Sequence, residues 1–161
     1  MITGDAERIT EPVVTSYGDP GFIDAYGAAW GFRDLLVQFF APDGVYCDVA
    51  SGVEVQGRSM LDRFMKVYLG FSPTCTVTFT GFLPHEGGFT APWVWDGTND
   101  GPLWLHGAVC PQDGSPFSIE GVSLCTVDPD GLIATHADYW DSEALLRTWR
   151  GEPAPIRPSA P

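Results

Sequence analysis

The last long apolar run, residues 117–141, reads FSIEGVSLCTVDPDGLIATHADYWD and constrains the fold more than any other stretch. It splits into two alternating segments around Asp128-Pro129-Asp130-Gly131. There Pro fixes one φ and Gly supplies a positive one, so the spacing predicts a β-hairpin. Alternation then sorts the side chains. Glu120, Val122 and Leu124 share a face of the first strand, and His136, Asp138 and Trp140 share a face of the second. If those faces coincide, two carboxylates, an imidazole and an indole look into one space. Chemistry is expected there.

Upstream, residues 20–40 carry Phe22, Tyr26, Ala29 or Trp30, Leu36, Phe39 and Phe40 at near-helical spacing, with Gly31 as a break between two helices. Asp19-Pro20 suits an N-cap followed by the first helical position. Ala41-Pro42-Asp43-Gly44 predicts a turn, 45–49 a strand and 53–55 a short second one. After Gly57, Leu61, Phe64, Met65 and Tyr68 fall at i, i+3, i+4, i+7 of an amphipathic helix, which Gly70 and Pro73 stop. Strands are expected over 74–82, 89–98 and 102–110, with turns at 84–88, 99–101 and 111–115. A short helix over 142–150 closes the chain, with Asp141 as its cap. Helices followed by a meander of strands make an α+β chain. Residues 1–18 read as a polar arm, 1–150 as one domain, and the Pro-rich 151–161 as a disordered tail.

Composition removes whole classes of function. The 161 residues are 44% hydrophobic and suffice for one real core. With 21 acidic residues against 8 basic ones the net charge is -13, which opposes nucleic acid and anionic membrane as partners. Neither a membrane-length apolar run nor a signal peptide is visible, so a cytoplasmic location is expected. The four cysteines, Cys47, Cys75, Cys110 and Cys125, are dispersed and read as reduced, packed thiols. The three histidines lack metal-binding spacing, and nucleotide-binding and serine-hydrolase motifs are missing, so no metal and no cofactor are expected.

The candidate residues follow from their surroundings. Asp48 shares a strand face with Tyr46, and a carboxylate buried among apolar residues has its pKa raised toward the range of a general acid or base. The competing reading is a rim pair or a solvated strand end. His136 and Asp138 point the same way, and a carboxylate beside an imidazole fixes its tautomer and raises its pKa; an ordinary polar outer face would look the same in sequence. Glu120 sits among Phe117, Ile119, Val122 and Leu124, which also describes an exposed position on a half-buried sheet. His106 lies in PLWLHGAVC with Trp104 and Ala108 in phase, where a satisfied core histidine is the alternative. Trp93, Trp95, Trp104 and Trp140, with Tyr26 and Phe64, are candidates to line a pocket for an apolar or polycyclic substrate.

Four segments carry a family resemblance: AYGAAWGFRDLLVQFFAPDGVYCDV, QGRSMLDRFM, APWVWDGTNDGPL and IEGVSLCTVDPDGLIATHADYWD. In this order they resemble the nuclear-transport-factor-2-like superfamily, and within it the SnoaL-like polyketide and ester cyclases. The resemblance implies a cone-shaped curved mixed or antiparallel sheet wrapped around N-terminal helices, and a homodimer. It implies an acid/base role for Asp138. Related ketosteroid isomerases align without a gap over FFAPDGVYCDVASGVEVQGRSMLDRFM, which places Asp48 at their general base and Glu120 near the acid of their oxyanion hole. Asp24 stands where those isomerases have their catalytic Tyr, with Tyr26 two residues away. The Arg of the limonene-epoxide hydrolases has no counterpart in the strands. A cofactor-independent cyclase or isomerase of polyketide- or terpenoid-like intermediates is therefore expected, with Asp48 or Asp138 as base and His106, Tyr46 or Glu120 as proton donor. An epoxide-opening enzyme and a non-catalytic binding module are the alternatives.

Overall fold

The structure, a computed structural model, describes residues 14–153. Helix α1 spans Phe22–Ala29 and α2 Arg33–Leu36, and a single 3₁₀ turn, Val37–Phe39, leads into strand β1, Phe40–Asp48. Strand β2 is Val53–Gln56 and α3 is Arg58–Phe71. Then come β3 (Thr76–Phe79), β4 (Leu83–His85), β5 (Gly88–Thr98), β6 (Trp104–Leu105) and β7 (Ala108–Val109). The long hairpin is β8, Pro116–Val127, and β9, Ile133–Trp140, and α4, Ser142–Trp149, follows. This is the expected α+β architecture.

Seven strands form one open, curved, mixed sheet in the order β2-β1-β9-β8-β5, with β3 and β4 both pairing along the far edge of β5. Only β1 and β9 run parallel; the other pairs are antiparallel. Helices α1 and α3 cover one face. Phe22, Tyr26, Trp30, Leu61 and Met65 pack there on Phe40, Tyr46, Phe89, Ala91 and Cys125 from the strands. A second cluster, built on Phe71, Trp93, Trp95, Phe117, Ile119 and Leu145, joins the end of α3 and α4 to the same face. The hairpin turn forms as its sequence dictates: Gly131 takes φ 78°, and the Asp128 side chain accepts the N–H groups of Asp130 and Leu132, both at 2.9 Å.

Several expectations need correction. Ala41-Pro42-Asp43-Gly44 is no turn; it lies inside β1, where the register against β9 shifts between Phe40 and Val45. The extra residues are absorbed as a bulge that bends the strand. Helix α1 begins after Gly21, in the left-handed region at φ 78°, rather than at Pro20. Residues 102–110 are two short strands, β6 and β7, joined by His106-Gly107, both at positive φ. Histidine is among the few side chains enriched at positive φ, and this chemistry makes a tight hairpin that an uninterrupted apolar reading conceals. Tyr17, assigned to the arm, is anchored: its hydroxyl donates to the Gly88 carbonyl at 3.0 Å and its ring stacks on Phe89. Residues 1–13 of the arm and 154–161 of the tail lie outside the described residues.

Candidate active site

Register brings the site together. Tyr46 and Asp48 of β1 pair with His136 and Asp138 of β9, so four polar side chains occupy two successive levels on the covered face. Ser123 of β8 stands at the level of Asp138, followed by Ala91 of β5. All four polar residues are buried.

Asp138 is the most heavily bonded of the four. Its Oδ1 accepts from His136 Nε2 at 2.7 Å, Ser123 Oγ at 2.6 Å and Trp93 Nε1 at 3.1 Å; its Oδ2 accepts from the Tyr46 hydroxyl at 2.9 Å. Burial opposes the ionised form, but the His136 charge and these donors outweigh it and hold the carboxyl below its ordinary range. Burial likewise opposes a charged His136, yet the Asp138 carboxylate prevails and raises it to about 10. At neutral pH the two are an ion pair. The second imidazolium N–H, on Nδ1, then donates to Tyr26 Oη at 2.6 Å. Burial first, and the carboxylates next, push the Tyr46 phenol well above its usual range, so it remains a neutral donor.

Trp93 reaches Asp138 from two strands away because Gly121 intervenes. A Cβ on Gly121 would lie 2.2 Å from Trp93 Cζ2, so only glycine lets the indole cross β8.

Asp48 has a different environment. Its Oδ1 accepts from the Ser51 backbone N–H at 3.1 Å and from Trp140 Nε1 at 2.8 Å. Burial raises its pKa, the Ser51 and Trp140 bonds oppose the rise, and the nearby Asp138 charge adds to it. The result is a carboxyl poised nearer neutrality than its neighbour.

Asp48, Asp138, Tyr46 and Ser123 open onto a cavity of ≈ 420 Å³. Its walls are chiefly aromatic, from Trp30, Phe64, Tyr68, Trp93, Trp95 and Trp140, and Trp104 of the β6–β7 hairpin stands at its edge, 70% exposed. The volume and the few polar groups converging on an apolar wall are those of a small-molecule site.

Four sequence candidates do not line the cavity: His136, which pairs with Asp138, and Glu120, His106 and Tyr26. Glu120 is exposed on the opposite face, because β8 turns Phe117, Ile119, Ser123 and Cys125 inward and Glu120, Val122 and Leu124 outward. His106 is exposed at the hairpin tip, where its Nε2 meets Ser142 Oγ at 3.2 Å. Tyr26, expected against substrate, is fully buried behind His136 and positions that ring instead. Residues the sequence did not single out are Ser123, in phase with Ile119 and Cys125, and Trp30, Ser51 and Tyr68 on the cavity wall. Tyr68 was within reach as the i+4 partner of Phe64.

The fold has counterparts among known proteins. Residues 22–136 match the SnoaL-like domain model. No curated protein matches the chain in sequence. Among solved structures, a protein of ketosteroid isomerase-like fold from Catenulispora acidiphila, in complex with trimethylamine, is 25% identical over 86% of this chain and 98% of its own, with a TM-score of 0.66. A candidate SnoaL-like polyketide cyclase from Jannaschia sp. CCS1 is 20% identical, covers 83% of this chain and 89% of its own, and superposes with a TM-score of 0.66. The epoxide hydrolase/cyclase-like SalBIII, of pyran ring formation in the polyether salinomycin, shares 15% identity over 75% of this chain and 88% of its own at a TM-score of 0.61. The chain therefore belongs to the SnoaL-like domain family, with the nuclear-transport-factor-2-like fold.

Proposed function

We propose that the protein is a cofactor-independent acid/base cyclase or isomerase acting on a polyketide- or terpenoid-like intermediate, with Asp48 as the general base. One observation carries this reading: Asp48 is a buried carboxyl of raised pKa on an aromatic cavity wall, and both its hydrogen bonds fall on Oδ1. Such a group takes a proton from carbon next to a carbonyl, or from an attacking hydroxyl, near neutral pH. Asp138 is less suited to that task, since three neutral donors and an imidazolium already hold its charge. It serves as the fixed anion that orients Tyr46, Ser123 and Trp93 beneath the substrate. The apolar wall excludes water and folds a flexible chain toward its cyclic product.

Solvent deuterium exchange tests the base directly. Exchange into the acidic position of a polycyclic 1,3-diketone, followed by proton NMR, is expected to be accelerated by the protein and to fall by ~10²–10⁴-fold in Asp48→Asn. Equal exchange by wild type and Asp48→Asn removes Asp48 from the mechanism.

A second reading, epoxide opening, is favoured by the opposite displacement of the two neighbouring carboxyls, which is how acid and base roles are divided. There a protonated Asp48 donates to the epoxide oxygen. The two readings predict opposite pH limbs. Activity that needs Asp48 as base rises as pH passes upward through its raised pKa, whereas activity that needs it as acid falls. Oxygen-18 from water in the product marks hydrolysis, and its absence marks attack by an internal hydroxyl.

A further inference from the structure

The buried charges of the site do not balance. Its ionisable acids are Asp48 and Asp138, and the buried set of Asp48, Asp138 and His136 carries one more negative than positive charge when both acids are ionised. His136 spends its charge on Asp138, at 2.7 Å. Asp48 is met by neutral donors alone, Ser51 and Trp140, and the charged group that acts on it is another carboxylate. Among the described residues, Arg63 is the one basic residue on the cavity lining; it is exposed, and its hydrogen-bond contact is Met60 Sδ at 3.9 Å. A buried carboxylate without a counter-charge is costly, and a ligand that brings the cation relieves that cost.

The wall suits a cation as well. Tyr46, Phe64, Tyr68 and Trp30 form a closed circuit of ring contacts, with centroids 4.8, 6.2, 5.7 and 5.6 Å apart in turn. Tyr68 continues at 5.5 Å to Trp95, and Trp95 at 5.9 Å to Trp140, whose indole N–H holds Asp48. Electron-rich rings attract organic cations, and most strongly where water is excluded. The chain's net charge of -13 draws cations toward the protein.

We propose that the substrate carries a protonated alkylamine whose N–H seats on Asp48, with its apolar skeleton against the aromatic wall. This rests on the reading of Asp48 as base and adds an ammonium N–H to the carbon and hydroxyl protons it takes. The ammonium N–H bond breaks, the proton passes to the Asp48 carboxylate, and the electron pair stays on nitrogen. The freed amine then attacks a carbonyl carbon of the same substrate: the C–N bond forms as the C=O π bond breaks onto oxygen, and Asp48 returns its proton to that oxygen, leaving a protonated cyclic hemiaminal.

Equilibrium binding separates charge from shape. Adamantylamine and its neutral isostere adamantanol are titrated at neutral pH against the intrinsic tryptophan fluorescence of the full chain. The amine is expected to bind at least about tenfold more tightly. That preference disappears in Asp48→Asn, persists in the charge-conserving Asp48→Glu, and persists in Glu120→Gln, which removes one acid from the opposite face. Thermal melts establish that each variant is folded; if Asp48→Asn is not, the wild-type comparison and Asp48→Glu decide. Equal or tighter binding of adamantanol by wild type overturns the proposal, as does a preference that survives in Asp48→Asn or vanishes in Glu120→Gln. Loss of diketone exchange in Asp48→Asn without any amine preference leaves the acid/base role standing and removes only the ammonium. An Asp48-dependent amine preference with exchange unaffected does the reverse.

Discussion

Two carboxylates stand at one level on adjacent strands, and their surroundings differ almost as much as one cavity allows. Around Asp138 the floor is closed: an imidazolium, a phenol, a hydroxyl and an indole converge on both oxygens. Around Asp48 the wall is open, with two neutral donors on a single oxygen. A saturated buried ion is part of the scaffold, because removing either partner strands the other. A half-satisfied one has chemical work left to do. Asp138 should therefore govern stability and Asp48 turnover.

The largest effect expected is on the closed side. Asp138→Asn leaves His136 without its counter-ion and should lower unfolding free energy by about 3–5 kcal/mol in urea denaturation; a change below about 1 kcal/mol would place Asp138 with Asp48. The pH dependence sharpens this. The share from the depressed Asp138 is present above the unfolded carboxyl pKa of about 3.9 and lost as pH falls through its lowered folded value. The share from His136 is complete below the unfolded imidazole value of about 6.5 and lost as pH rises through about 10. The gap between wild type and Asp138→Asn is thus widest between about pH 4 and 6.5 and closes toward alkaline pH. A gap that widens from pH 7 to 10 would contradict the ion pair.

Gly121→Ala comes next. The added methyl must displace the Trp93 indole and break its bond to Asp138, at about 1–3 kcal/mol by thermal melt. Asp48→Asn should shift stability by less than about 1 kcal/mol, toward greater stability, since a carboxyl of raised pKa costs the fold when ionised. Marked destabilisation there would erase the contrast between the two acids. The smallest change belongs to Glu120→Gln, within about 0.5 kcal/mol, because the position is exposed on the far face.

Much of this was legible in residues alone. The 3.6-residue spacing of Leu61, Phe64, Met65 and Tyr68 forecast α3, and the Pro-Asp-Gly turn forecast the β8–β9 hairpin. Alternation also grouped Tyr46 with Asp48 and His136 with Asp138. What alternation does not carry is which face of a strand turns inward when both are apolar. Leu124, outside, is 44% exposed, so Glu120 stands among neighbours that look like core, and nothing local marks Ser123 as inward. Pairing settles the question, and pairing is non-local. His106 misled for a local reason: a two-residue turn inside PLWLHGAVC is written in backbone dihedrals rather than in polarity.

The parallel contact of β1 with β9 makes a square whose corners are residues 46, 48, 136 and 138. A single substitution edits one corner and leaves the other three in place, so specificity can drift in small steps. Inserting one residue into either strand instead turns that strand's two corners outward together, and the reaction centre is lost whole.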